Sequence, residues 1–450
     1  MTKKGLFVTP DGKNVLFTFI LVSSLFLLWG FCNGMIDVMD KHFQNELHLT
    51  LAQSAWVQFA HYLGYFLMSL PAGWLAIRLG YKGGIIAGLL MVALGGVWFL
   101  PATHIAKFWA FLLGVCVIAS GLTFLETIAN PYTTVLGEPK YGPMRINLAQ
   151  SCNGVGWIFG PIAGRMYFYS TDAAGQSTGA QTLYIPYVAV AGLVIFLAAI
   201  FYFANVPDIK TEDDYHLDDA TPGVSHSIWK HPHFVLAVAA QFFYVAAQAG
   251  IFSFFINYMT SQVPPIPESW NSGFMKGLFS TGPDGLLHIS DAGGSTLASV
   301  GFICFLLGRV SGSALLKKFA AHKVLGLYGV LNVLICFLIF SKLGWLSVLC
   351  VFLSYFFMSI MFPTIFALGI FGLGVRAKRA SGYIVMAIMG GAILPKLMGH
   401  VADKYDMSRG FIVPLFCFAF VAFYAFGWRR FSRGNGMKQP GAVVETAART

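Results

Sequence analysis

The chain has 450 residues, 57% of them hydrophobic and only 11% charged, with a formal net charge of +10. Apolar runs of about 20 residues, enough to cross a ~30 Å hydrocarbon core, recur along its whole length and exclude an ordinary soluble domain. The cations are scattered over short loops and the C-terminal tail rather than gathered on one face, which argues against a nucleic-acid partner and for membrane orientation.

In chain order, a short polar lead with Lys3, Lys4 and Lys13 opens onto an apolar run that lacks a small-residue cleavage site and is followed by many more spans, so it reads as a retained helix. Hydropathy predicts twelve membrane helices, near 15–39, 52–77, 84–101, 107–136, 146–170, 184–206, 232–258, 294–316, 322–340, 344–371, 380–401 and 410–428. An even number puts both termini on one side. The loops and tails of that side carry 20 of the 29 lysines and arginines against seven in the opposite loops, which predicts cytoplasmic termini. Seven cysteines, Cys32, Cys116, Cys152, Cys304, Cys336, Cys350 and Cys417, fall in or beside apolar segments without metal-ligand spacing and read as small apolar residues. Neither a metal nor another cofactor is expected.

The predicted organisation is an N-terminal six-helix bundle over 1–206, a cytoplasmic linker over 207–231, and a C-terminal six-helix bundle over 232–450 with an external loop at 260–293 and a cytoplasmic tail. The acidic stretch within 206–223 reads as a solvated linker, with a regulatory contact as the alternative. The external loop, with Pro264, Pro265, Pro267 and Pro283, is expected to be a partly ordered lid. An internal repeat supports the division. Asn130-Pro131 through Leu136-Gly137 matches Phe362-Pro363 through Leu368-Gly369 at a constant offset. In addition, Gly73 is followed by Arg78, and Gly312 by Lys317, in short turns of the terminus side. A duplicated six-helix unit suits alternating access around a site near the midplane.

Glu126 interrupts the apolar fourth helix about eleven residues, or roughly 16 Å, from its end near Gly137. An ionised carboxylate at that depth costs about 2.5–3.5 kcal/mol on insertion scales, so it must face a wet cavity, find a partner or be protonated. Burial penalises the charged form, which makes reversible protonation the default reading; a protonated acid bonding between helices is the alternative. Asn130 shares its face, and Pro131 predicts a kink or gap. Asp37 lies toward the outer end of helix 1 with Asn33 four residues before it, while Asp40 reads as interfacial beside Lys41 and His42.

For a small polyol, paired donors and acceptors are needed. Helix 5 offers Asn147, Gln150 and Asn153, and helix 7 offers Gln241, Tyr244 and Gln248, each a polar stripe on an apolar helix. Bonding between helices is the competing reading for both stripes. Asn257 and Tyr258 fall at the external end of helix 7, and Phe252 and Phe255 serve either packing or stacking against a cargo. Arg309 and Lys396 could pair with acids or snorkel to the interfaces. His61 reads as a packed histidine more readily than as a proton relay. Neither His-Glu-x-x-His nor Gly-x-Ser-x-Gly occurs, so an enzyme is not expected.

The chain resembles the major facilitator superfamily: Gly73, Arg78 and Gly80 fit its loop motif between helices 2 and 3, although Ile77 stands where an acid is usual. More closely it resembles the fucose permease branch, the fucose/galactose/glucose:proton symporters. That likeness is carried by Leu28 through Asp37, Gly64 through Gly73, Glu126 through Gly137, Arg145 through Asn153, Ala240 through Gln248 and Phe362 through Gly369. The resemblance implies an all-α membrane protein of two pseudo-symmetric six-helix bundles, working as a monomer in a bacterial-type inner membrane. It implies inward sugar and proton symport, with Asp37 and Glu126 as the titrating carboxylates. Some relatives carry glutamine at the helix 4 position, and the glutamate here favours protons. L-fucose or a related hexose is the expected cargo. The alternatives are a sodium-coupled or uncoupled hexose carrier, with the carboxylates serving sugar binding, and a non-transporting membrane sugar sensor.

Overall fold

The structure is a computed structural model that describes residues 7–8, 14–137, 142–169, 182–204, 206, 228–271, 277–316, 319–371, 373 and 377–432. The predicted linker therefore lies almost wholly outside the described residues, as does the far C-terminal tail. The first half runs through α1 (Leu16–Leu47), the short α2 (Leu51–Ser54), α3 (Trp56–Ile105), α4 (Phe108–Val135), α5 (Gly142–Tyr167) and α6 (Tyr184–Phe203). The second half begins with α7 (Pro232–Ser253) and α8 (Phe255–Ser261), followed by α9 (Asp291–Leu316) and α10 (Ala321–Phe340). It continues through α11 (Trp345–Met358), α12 (Met361–Ile370), α13 (Ala377–Met386) and α14 (Gly390–Lys404), and ends with α15 (Met407–Gly410) and α16 (Ile412–Ser432).

These helices trace twelve passes, and ten of them are by themselves long and apolar enough to cross a bilayer. The second and third passes form one continuous element, α3, bent at Gly80, where φ 69° and ψ 178° lie outside the helical range. The following cation, Lys82, donates to the carbonyl of Ala204 at 2.9 Å and so caps the end of α6. Breaks also divide the seventh, tenth and eleventh passes. Between α11 and α12 the cause is Pro363, which cannot donate to the carbonyl four residues earlier, that of Ser359. Arg309 Nε reaches that carbonyl at 3.4 Å, and the guanidinium lies 5.0 Å above the Phe305 ring. At the matching Pro131, by contrast, the helix α4 continues to Val135.

Within the first half, α1 and α5 approach backbone to backbone. A Cβ on Gly30 would sit 2.0 Å from the Asn153 carbonyl oxygen, and one on Gly156 would sit 2.1 Å from that of Leu27. Small residues let membrane helices make such contacts where no hydrophobic drive operates between them. In the loop between α8 and α9, β1 (Phe279–Thr281) and β2 (Leu287–Ile289) form an antiparallel hairpin. Its turn is tied by Asp284 to His288 at 2.9 Å, which holds the Asp284 carboxyl below its usual range.

One boundary differs in a way that matters. Helix 1 was predicted to end near residue 39, but α1 continues to Leu47 and stops at His48 in the left-handed conformation. Asp40 is consequently not interfacial. It lies two turns inside the helix and is 0% exposed, because the polar residues Asp40, His42 and Gln44 turn into the protein rather than toward water.

Candidate functional site

The two halves meet along a seam at the end remote from the termini. There Asp403 of α14 accepts the backbone N–H groups of Leu51 at 2.8 Å and Ala52 at 2.9 Å. These are donors left free at the start of α2, whose other end of the turn is held by a Thr50–Gln53 capping box. Asn45 donates to Asp291 at 2.6 Å, Lys41 lies 3.8 Å from the same carboxylate, and the side-chain amides of Gln44 and Asn257 bond to each other. Ser295 and Ser299 of α9 donate to the carbonyls of Pro161 at 2.6 Å and Ile158 at 2.8 Å. Lys396 pairs with no acid among the described residues; its Nζ lies 3.9 Å over the ring of Trp56, across the seam. This end is closed.

Beneath the seam lies the polar interior of the first half. Asp37 of α1 is 6% exposed, and its Oδ1 accepts from Gln58 Nε2 of α3 at 3.0 Å. Its Oδ2 and the Oδ1 of Asn33 one turn earlier are buried without a partner. Deeper on α4, Glu126 is only partly buried, and its carboxyl has no hydrogen bond or ion pair among the described residues. Asn130, one turn on, donates to the Glu126 carbonyl at 3.0 Å and accepts from Gln150 Nε2 at 3.0 Å, which ties α4 to α5. Tyr62 of α3 is within electrostatic reach of both Asp37 and Glu126, so the two carboxyls frame one region. Tyr62 also crosses to the second half, where a Cβ on Gly391 would meet its ring at 2.3 Å.

The other expected site residues separate into two groups. Asn153 donates to the Phe26 carbonyl at 3.2 Å and Tyr244 to the Met358 carbonyl at 3.0 Å, so both make bonds between helices in this state. Gln241 is 0% exposed with neither amide atom partnered, whereas Gln248 is partly exposed. An amide buried with both ends open is costly unless something polar reaches it. The side chain of Asn147 lies outside the description. Phe252 sits in an aromatic cluster with Tyr355 at 4.5 Å, Phe302 at 5.0 Å and Trp157 at 5.5 Å, three helices converging on it. His61 is buried with its Nδ1 unpartnered and its ring 5.0 Å from those of Tyr62 and Tyr65.

Sequence reasoning missed Gln58, which among the described residues is the hydrogen-bond partner of Asp37. It also missed Asp403 and Asp291. The signal for Gln58 was available: an amide on the apolar face of helix 2, one turn before His61. Nothing local marks Asp403, whose partner lies 352 residues earlier in the chain.

Comparison with known proteins places this geometry. Residues 15–283 match the family model described as Major Facilitator Superfamily. The chain is 33% identical to a glucose/galactose transporter of Brucella abortus over 418 residues, covering 92% of this chain and 95% of that protein. It is also 33% identical to the L-fucose-proton symporter of Escherichia coli over 435 residues, covering 92% and 94%. The crystal structure of FucP, a Major Facilitator Superfamily transporter in the outward conformation, superposes with a TM-score of 0.66 at 32% identity, over 92% of this chain and 99% of that one.

Proposed function

Because the chain belongs to the Major Facilitator Superfamily, within its fucose permease branch, we propose that it imports a monosaccharide together with protons by alternating access. The observation that carries this reading is Glu126: a carboxyl far inside a membrane helix, without a partner among the described residues, partly exposed, and on the same helix face as Asn130, whose amide is bonded by Gln150 of α5. Such a group tolerates charge only where water or a polar cargo reaches it, so its protonation is tied to which side of the carrier is open.

In this scheme the termini are cytoplasmic, as the distribution of lysine and arginine indicates, and the closed seam is the outer face of a bacterial-type inner membrane. FucP is described in an outward conformation, so this chain with its outer seam shut represents another stage of the cycle. Asp37, nearer the outer face, takes up the proton first; Glu126 holds it while the two halves rock. The sugar lies between the halves, against Asn130, Gln150 and Asn147 on one side and Gln241 and Gln248 on the other. Asn33 meets its outer end, and Asn153 and Tyr244 shape the wall. All these groups come from one chain, and a monomer suffices. L-fucose or a related hexose is the cargo, in keeping with the names of the relatives.

Uptake of labelled L-fucose into proteoliposomes, competed by a panel of monosaccharides, tests this. Competition by L-fucose or a hexose in an acid-outside gradient is expected; uptake that follows a sodium gradient and ignores the proton gradient would contradict proton coupling.

A further inference from the structure

The outer half of α1 carries a second buried carboxyl that the scheme above leaves unused. Asp40 follows Asp37 by three residues, one turn along the same face of the helix. Gln58 serves both acids with a single nitrogen: Nε2 is 3.0 Å from Asp37 Oδ1 and 3.5 Å from Asp40 Oδ2. The other two oxygens, Asp37 Oδ2 and Asp40 Oδ1, are buried and have no hydrogen-bond partner. Both residues are more than nine-tenths buried, at 6% and 0% exposure.

Among the described residues no cation compensates the pair. The titratable groups within electrostatic reach are Tyr62 of α3, Tyr169 beyond α5, Tyr187 of α6 and Tyr355 of α11, phenols that are neutral at ordinary pH. Tyr169 and Tyr187 turn their hydroxyls to the Val38 carbonyl at 2.6 Å and Met39 Sδ at 3.1 Å. From α4, Glu126 shares Tyr62 with the pair and adds a further acid. On α1 itself, Lys41 is directed to Asp291 across the seam, and His42 packs against the rings of Phe43, Phe168 and Tyr169. On α3, His61 packs against Tyr62 and Tyr65.

Two carboxylates sharing one amide donor in apolar surroundings cannot both remain ionised. One proton placed on the pair removes a charge and creates an O–H donor for an oxygen that otherwise has none. We propose that Asp40 is a proton-holding residue of this carrier, acting with Asp37 as a single carboxyl pair that takes its proton from the outer face and retains it while that face is closed. Gln58 holds the ionised member. The pair carries one negative charge with its proton and two without it, so it captures a proton from more alkaline outer water than a lone Asp37 could. Asp40 thereby sets the external pH range in which the carrier works.

This rests on the proton-coupled reading above, and the test separates the two. In proteoliposomes, sugar uptake is measured against external pH for the wild type, Asp40→Asn, Asp40→Glu and Asp40→Leu, with sugar counterflow at acid pH as the control for folding and binding. Asp40→Leu replaces a buried acid by an apolar group of similar size, a change that buried sites accept readily, and it keeps the test available if the asparagine variant misfolds. Expected are near wild-type counterflow in all three variants, half-maximal uptake displaced by about one pH unit or more toward acid in Asp40→Asn and Asp40→Leu, and recovery of the wild-type profile in Asp40→Glu. Superimposable profiles in all variants, or loss of counterflow at every pH in folded Asp40→Asn and Asp40→Leu, would make Asp40 structural and overturn the proposal. Absence of any pH dependence in the wild type would instead remove the proton-coupled reading itself.

Discussion

The carboxylate of Asp403 receives the backbone N–H of Leu51 at 2.8 Å, so an acid near the end of the second half caps a helix of the first. A carboxylate at a helix start answers both the unpaired N–H groups and the positive end of the dipole. The contact joins the two halves across the seam, so in the alternating-access scheme proposed above it acts as a latch on one conformation rather than as general stabilisation.

Replacing Asp403 by alanine should loosen the closed state without touching the interior. A cap of this kind is worth about 1 kcal/mol, and because Asp403 is exposed the lower end of the usual range applies. Spin labels at His48→Cys and Lys404→Cys, in a background without the seven native cysteines, should then report a roughly twofold increase in the separated, outer-open population.

A second manipulation of the same seam uses Gly399. A Cβ at this position would lie 2.8 Å from the backbone of Leu51, which cannot yield as a flexible side chain would. Gly399→Val is expected to prop the outer face open and slow transport more than tenfold while leaving sugar binding from outside measurable. Unaltered label distances in this variant would show that the seam is not the closing surface.

The bond between Gln150 and Asn130 predicts a sugar-site phenotype. Gln150→Leu leaves Asn130 Oδ1 without its donor and removes an amide from the path between the halves. A lost bond to a hydroxylated cargo costs about 1–3 kcal/mol, so the KM for sugar should rise roughly tenfold or more, with thermal stability in detergent changed far less.

Arg309 should behave in the reverse way. It supplies a donor to the Ser359 carbonyl that Pro363 leaves open. Arg309→Met should lower the melting temperature, at a cost of about 1–3 kcal/mol. The double variant with Pro363→Ala should recover part of the loss, because the helix can then satisfy that carbonyl itself.

The membrane passes are legible in the sequence because a bilayer imposes its chemistry on every residue of a span: runs of Leu, Phe and Ile mark the helices wherever they pack. The position of Glu126, the face it shares with Asn130 and the matching prolines of the two halves are local facts and can be read directly. Asp40 was misread because Lys41 and His42 look like the edge of a membrane helix, whereas Lys41 reaches Asp291 of the other half and His42 is buried among aromatic rings. Asp403 and Asp291 meet partners hundreds of residues away, and no periodicity encodes such a partner. The two prolines also diverge. Ser359 finds a donor in Arg309 and the chain breaks there, while α4 runs on past Pro131.

Proton coupling through Glu126 is tested most directly by external pH in lightly buffered proteoliposomes on addition of sugar. The wild type should produce a prompt sugar-evoked alkalinisation outside. Glu126→Gln, which keeps the shape and polarity of the side chain but cannot ionise, should abolish the alkalinisation and uphill accumulation while preserving sugar counterflow. A Glu126→Gln protein that still alkalinises the medium as the wild type does would contradict the role assigned to Glu126.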